Sequence, residues 1–414
     1  MLYLYRLLIF SICFEEMISR IIFPVKYCKY LLVFTILIAV LHKNKWRFSF
    51  PIKTFFGKFF LVITTYSVLI SIPFFVYYGW NGFDVPKKYL FFPILVICFY
   101  YAPLFECSIK NLLFFYARTM LFYSVMNAVL YFLNLPIWSG AGYWGRVSVG
   151  YPTVDVVSYA IAIAIFMFGD MNRNWIRHTL ASFIITLGVI SQVSGTGIIL
   201  LLMLFVFSVF FEISDKLHRI SKDLGKKILL LLAMMLVSIP IGYGMLNSQR
   251  PDLLHKMEMQ LENRVTLLMQ GKDYTLDINT MDTRKEEFET AKSRYLIDFE
   301  SVAFGYGFGP LDYSNTKNNG FLGETVFLES QYHLTLFTSG VLGVIVLFLV
   351  VIEVMKRIIH NKDRLLFVIG SAFIVSFWTT NPLMSFSLVG ILSLCYVIVF
   401  RKESIEQDDA KFLE

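Results

Sequence analysis

Arg284 follows Thr283, and Glu286 stands three residues after that threonine, so the stretch reads as a helix start closed by a capping box. A cation in a first helical turn faces the positive end of the helix dipole, at a cost of about 0.3–1 kcal/mol. An anion held jointly by the guanidinium and the unpaired N–H groups of that turn reverses the penalty. Phosphate or diphosphate suits the position because guanidinium grips such oxygens in pairs. The plainer reading is a surface arginine paired with Glu286 or Glu287. Arg264, on a preceding helical stretch, is a second candidate, with solvent or a carboxylate as the competing partner. Arg146 lies in Gly142-Tyr-Trp-Gly-Arg-Val-Ser-Val-Gly-Tyr-Pro-Thr-Val-Asp155. Glycine there lets backbone approach a ligand, while Tyr143, Trp144 and Tyr151 suit either the membrane interface or stacking on sugar rings.

Glu329-Ser-Gln-Tyr-His333 precedes a long apolar run that contains Gly340 and Gly343, glycines that permit close helix contact. A carboxylate beside a histidine at a membrane boundary can take a proton from an attacking hydroxyl. A helix N-terminus also favours Glu without any catalytic role. Gly305-Tyr-Gly-Phe-Gly309 is G-x-G-x-G without a βαβ context, so it reads as a tight turn near the membrane surface and not as a nucleotide loop. Ser194-Gly-Thr-Gly197 reads as a hairpin between two packed helices. The chain has no H-E-x-x-H, no carboxylate cluster and no G-x-S-x-G, so metal-dependent and serine hydrolysis have no foothold, and neither a metal nor a cofactor is expected.

The elements that must carry these residues are membrane helices. Of 414 residues, 57% are hydrophobic and only 16% charged, which no water-soluble core could hide. The mean hydropathy of +0.64 agrees. About twelve candidate spans are expected on a ruler of roughly twenty apolar residues each, near 4–24, 27–42, 59–78, 89–105, 111–135, 153–169, 178–193, 196–212, 228–246, 332–355, 365–380 and 384–400. The first is expected to be a retained helix and not a signal peptide, since it carries Glu15 and Glu16 without a small-residue cleavage site. Glu16 and Arg20 are spaced to pair. The net charge of +7 comes from Lys and Arg in short loops, which indicates topology control and argues against nucleic acid. With twelve spans and a cytoplasmic N-terminus, every basic loop falls inside and the polar stretch 247–330 falls outside. The expected organisation is therefore spans one to nine in 1–246, an extracytoplasmic segment in 247–330, three more spans in 331–400 and a cytoplasmic tail in 401–414. Within the segment, Leu253, Leu254, Met257, Leu261, Val265 and Leu268 recur at helical spacing, and Phe288, Ala291, Tyr295 and Leu296 form the apolar face of a second helix. The five cysteines show no C-x-x-C spacing, so neither zinc nor a disulfide framework is expected.

Taken in order, Arg146 with Gly150-Tyr-Pro-Thr-Val-Asp155, Ser194-Gly-Thr-Gly197, Arg284, Gly305-Tyr-Gly-Phe-Gly309, Glu329-Ser-x-Tyr and Gly340-x-x-Gly343 resemble the O-antigen polymerases (Wzy type) and the related O-antigen ligases of bacterial envelopes. The likeness runs from about residue 140 to 345. It implies a membrane glycosyltransferase that joins oligosaccharide repeats carried on undecaprenyl diphosphate at the outer face of the cytoplasmic membrane. Its partners would be lipid-linked glycan donor and acceptor, the bilayer and a chain-length regulator. Ligases of this kind usually carry a histidine about eleven residues before the glycine that here is Gly340, whereas this chain has Glu329 and Ser330 at that place. That departure favours polymerase over ligase and weakens any transfer of the ligase histidine's role to His333. Asp155 stands where many relatives have a Pro-Asn pair nearby. On a mechanism that serves polymerase and ligase alike, Arg284 and Arg146, with Arg264, would neutralise the donor diphosphate and Glu329 would take the acceptor proton, with His333 as the substitute base; Arg146, Arg264, Arg284, Tyr151, Gly305 and Gly307 are the expected contacts to diphosphate or sugar. A ligase and a flippase for lipid-linked sugar are the competing expectations. The absence of an internal repeat and the late position of the polar segment count against the latter.

Overall fold

The computed structural model describes residues 1–14, 17, 27–46, 51–52, 54–73, 84–132, 152–169, 175–192, 194–217, 224–249, 251–270, 288–289, 291–293, 296–308, 319–320, 323–324, 328 and 330–411. The described chain is helical apart from one two-residue antiparallel pairing, Asn319 with Glu324 and Gly320 with Gly323. In order the helices are α1 (Leu2–Cys13), α2 (Cys28–Lys43), α3 (Phe55–Leu69), α4 (Asp84–Tyr100), α5 (Ile109–Phe132), α6 (Pro152–Phe168), α7 (Trp175–Ser191) and α8 (Gly195–Leu217). Then follow α9 (Leu224–Gln249), α10 (Pro251–Gln270), α11 (Phe299–Phe304), α12 (Gln331–His360), α13 (Arg364–Thr379) and α14 (Phe386–Lys411). Among the described residues four segments are long and apolar enough to cross a membrane: Ile109–Leu130, Gly195–Ser214, Leu224–Ser248 and Gln331–His360. Six shorter apolar helices accompany them, in α1, α3, α6, α7, α13 and α14. The chain is thus a helical membrane protein. Its outward residues say the same, since Leu229, Leu236, Val237 and Ile241 of α9 are all more than half exposed, a surface only lipid or protein tolerates.

The helix starts obey local chemistry. Thr54 caps α3 by accepting from the Gly57 N–H at 3.1 Å, and Asp363 caps α13 by accepting from the Leu366 N–H at 3.1 Å. Pro251 opens α10 and Asp252 stands in its first turn, as the amphipathic pattern of that segment requires. Helix α6 is the hub, packed against α5, α7, α8, α13 and α14. The reason is in its composition. From Val156 to Met167 every residue is buried, and the run Tyr159-Ala-Ile-Ala-Ile-Ala-Ile165 interleaves small residues that let neighbours close in with branched ones that fill the gaps. At the far side α12 packs against α3, α11 and α13.

One expectation needs adjustment, and two others reach beyond the described residues. The first span extends within the described residues only from Leu2 to Cys13, and Glu15, Glu16 and Arg20 lie outside them. Helix α9 runs on to Gln249 and so carries the first polar residues, Asn247 to Gln249, and much of the stretch 271–330 lies outside the described residues. The apolar run after Glu329 is not one straight helix, for Gly340 breaks α12 with φ 66° and ψ −170°.

Because Ala162 is wholly buried at the centre of α6, Ala162→Leu should lower stability by about 1–3 kcal/mol through overpacking, read as a fall in the melting temperature of the purified protein. An unchanged melt would remove α6 from the centre of the bundle.

Candidate functional site

The candidate site is built where α12 begins. Ser330 precedes it as the N-cap residue, and successive side chains then fan out at about 100° per residue. Gln331, wholly buried, uses its amide fully: its Nε2 donates to the Tyr89 hydroxyl of α4 and to Thr335 Oγ1, while its Oε1 accepts from the Leu383 N–H at 3.3 Å. Its own backbone N–H donates to the Thr380 carbonyl at 3.1 Å. Tyr332 turns toward α13, with its ring stacked on Phe348 at 5.0 Å and set against Trp378 at 5.8 Å. His333 turns the other way, stacked on Phe288 with centroids 4.3 Å apart and planes 20° apart. On either side of position 329 the chain is tied down, since the Asn381 amide donates to the Leu328 carbonyl and Ser330 Oγ donates to the Phe377 carbonyl at 3.4 Å.

Two turns further along, the break at Gly340 meets α11. The turn after α11 is held by its backbone: Tyr306 N–H donates to the Phe337 carbonyl at 2.8 Å and Gly307 N–H to the Thr338 carbonyl at 3.1 Å. Gly305 has φ 83°, and a Cβ there would lie 2.3 Å from the Ser339 nitrogen. A Cβ on Gly340 would lie 2.3 Å from the Ala303 carbonyl oxygen. The two glycines therefore let two backbones touch, which any side chain would prevent. Ser67 of α3 and Ser71, just past its end, seal the junction. Ser67 Oγ is 2.8 Å from Ser339 Oγ, and Ser71 Oγ accepts from the Phe308 N–H at 2.6 Å while donating to the Ser67 carbonyl. The Phe308 ring, 1% exposed, closes the circuit by packing edge-on to Tyr89 at 5.0 Å.

Asp298 caps α11, its carboxylate accepting from the Ser301 N–H at 2.7 Å. That N–H above all, with the Ser301 hydroxyl and the Glu300 N–H, holds its carboxyl below the usual range.

Of the residues singled out by sequence, Gly305, Gly307 and His333 come to this end of α12. Gly305 and Gly307 pack against protein backbone and Ser71, so the tight turn is inserted between α12 and the end of α3. A Cβ on Gly343 would meet the side chains of Ser339 and Thr335, which lie across the break at Gly340, so this glycine lets the two segments of α12 approach closely. Arg264 belongs to α10, which packs on α9. Arg146, Tyr151, Arg284 and Glu329 lie outside the described residues, as do Thr283 and Glu286 of the capping box. Sequence reasoning passed over Gln331, Tyr89, Ser67, Ser71 and Asn381. The i, i+4 hydroxyls Ser67 and Ser71 in an apolar helix were an available signal, since a polar group at membrane depth needs a partner. Chemically, the described residues provide buried hydroxyls and amides that fix backbone and an imidazole stacked at the mouth of α12. Among the described residues no group of three or more His, Cys, Asp or Glu could hold a metal ion.

Two measurements test this geometry. Gly305→Ala should destabilise the purified protein more than Ser71→Ala, whose loss of a partner for the Phe308 N–H is worth about 1–3 kcal/mol. An unchanged Gly305→Ala melt would dissolve the interlock. The Asp298 cap has a lowered folded-state pKa, so its stabilisation is complete above about pH 4 and is lost only as pH falls through that lowered value. The melting difference between wild type and Asp298→Ala should accordingly hold constant from neutral to mildly acidic pH and shrink below it. No protein-family model matches this chain, and none of the curated proteins matches it.

Proposed function

We propose that this protein polymerises oligosaccharide repeat units carried on undecaprenyl diphosphate into O-antigen or capsular polysaccharide, working at the outer face of the bacterial cytoplasmic membrane. The observation that carries the reading is the stacking of Phe288 on His333. Phe288 is the fourth residue after Arg284, and His333 is the fourth after Glu329, so the contact joins the sequence neighbourhoods of the candidate anion-binding arginine and the candidate base. The ordered motifs that resemble the O-antigen polymerases and ligases support the same reading, as does the replacement of the ligase histidine by Glu329-Ser330. The scheme has twelve spans with the basic loops inside, which puts the start of α12 on the extracytoplasmic side.

The proposed chemistry balances as a displacement. An acceptor sugar hydroxyl attacks the donor's anomeric carbon, Glu329 takes the hydroxyl proton, and the bond to the diphosphate breaks with its electron pair leaving on undecaprenyl diphosphate. Arg284 and Arg146, with Arg264, neutralise the charge that gathers on that leaving group. His333 is the substitute base. Arginines do the charge work that a divalent ion does elsewhere, so the reaction runs without metal. A chain-length regulator is the expected protein partner.

In a deletion strain, complementation with Arg284→Ala or Arg146→Ala should leave single repeats attached to the envelope glycolipid on a gel, with the protein still in the membrane. Arg284→Lys should recover little, because an ammonium cannot offer paired donors. Full-length polymer from either alanine variant would remove these residues from the site. Loss of all attached repeats on deletion would point to a ligase.

A further inference from the structure

An apolar cleft of about 930 Å³, its open mouth included, runs between α3, α12, α13 and α14. It starts at Phe377 and Leu383, just beneath the Gln331 network, and ends at Ile358 and Leu366. Its lining spans Leu347 to Ile358 on α12 and Leu366 to Phe377 on α13. Each is eleven helical steps, or about 16 Å at 1.5 Å per residue, against about 15 Å for one leaflet of a hydrocarbon core of roughly 30 Å. The walls are almost wholly hydrocarbon, with the Tyr396 ring and Cys395 on the α14 side. A void that is open to the bilayer and one leaflet long suits a single extended acyl chain.

The charge at one end selects among lipids. Lys58 follows the cleft residue Gly57, Lys356 stands between Met355 and Ile358, and Lys362 lies in the turn to α13; all three are exposed. The carboxylates there are engaged, Glu353 with Arg357 at 3.4 Å and Asp363 with the Leu366 N–H. Arg357 lies over the Phe400 ring at 4.6 Å, and Phe400 packs at 4.3 Å on the cleft residue Tyr396. Cations at the end of α12 also meet the negative end of its dipole. The ends of α3 and α12 thus present positive charge where the headgroup of a chain seated in the cleft would emerge.

We infer that the cleft is a site for one anionic glycerophospholipid of the leaflet at the basic end of the bundle, with an acyl chain between α12 and α13 and its phosphate at Lys58, Lys356 and Lys362. The inference needs only that the chain is a membrane protein and stands apart from the polymerase reading, whose substrate would hang from the opposite end.

The test is native mass spectrometry of the full chain in neutral detergent with equimolar phosphatidylglycerol and phosphatidylcholine of identical acyl chains. One phosphatidylglycerol per chain should be retained, preferred by roughly tenfold or more given about 1 kcal/mol per lysine near an anionic surface. The triple variant Lys58→Ala, Lys356→Ala, Lys362→Ala alters only exposed side chains and should lose the preference. Gly370→Leu, on the cleft wall where a Cβ meets the flexible Met355 Sδ at 2.7 Å, should expel the lipid with helix content unchanged by circular dichroism. Equal retention of the two lipids by wild type, or an unaltered preference in the triple variant, would overturn the proposal. The triple variant decides alone if Gly370→Leu does not fold.

Discussion

The contact of backbone on backbone between Gly305 and Gly340 is the constraint on which this end of the molecule depends. Helix α12 can break at Gly340 because glycine accepts a positive φ, and α11 can fill the break because neither residue carries a Cβ. The break changes the partners of the turn before it, so that the carbonyls of Phe337 and Thr338 accept from Tyr306 and Gly307. One local deviation from ideal helix thereby joins the end of the polar segment to a membrane helix, and it does so one to two turns from His333.

A membrane interior gives polar groups few alternatives to one another, since lipid offers no hydrogen bonds. That explains why the hydroxyls and amides here are connected in series: Ser71 to the Phe308 N–H, Ser67 to Ser339, Gln331 to Tyr89 and to the Leu383 N–H. Each tie joins elements distant in sequence, so the start of α12 is positioned by α3, α4 and the 380–383 turn together. Aromatic packing completes the placement by setting Tyr332 and His333 against different partners on different faces of the helix.

Uniform chemistry was legible in the sequence and exceptional chemistry was not. The hub α6 could be read because a buried membrane helix is apolar all round, and the boundary between α7 and α8 because Ser194 and Gly195 interrupt the apolar run. The amphipathic α10 followed from the helical spacing of its apolar residues, with Asp252 near the start. The break at Gly340 was not legible, since glycine is frequent in membrane helices and the hydropathy on either side does not change. The turn at Gly305 was legible as a tight turn, but its partners were not, since Ser71, which accepts from the Phe308 N–H, stands more than two hundred residues earlier. Gln331 was passed over because two of its three side-chain partners, Tyr89 and the Leu383 N–H, are remote in sequence. At the candidate site, His333 and the two glycines were legible by type and spacing, whereas the groups that hold them were not.

The central claim is that this membrane protein lengthens a lipid-linked glycan. Its most direct test is the purified full chain in proteoliposomes, given one synthetic repeat unit on a polyprenyl diphosphate, with products followed by mass spectrometry. The account predicts glycans of two, three and more repeats on one lipid carrier, with one polyprenyl diphosphate released for each added repeat. Transfer of the intact lipid-linked repeat across the bilayer with no elongation would contradict it.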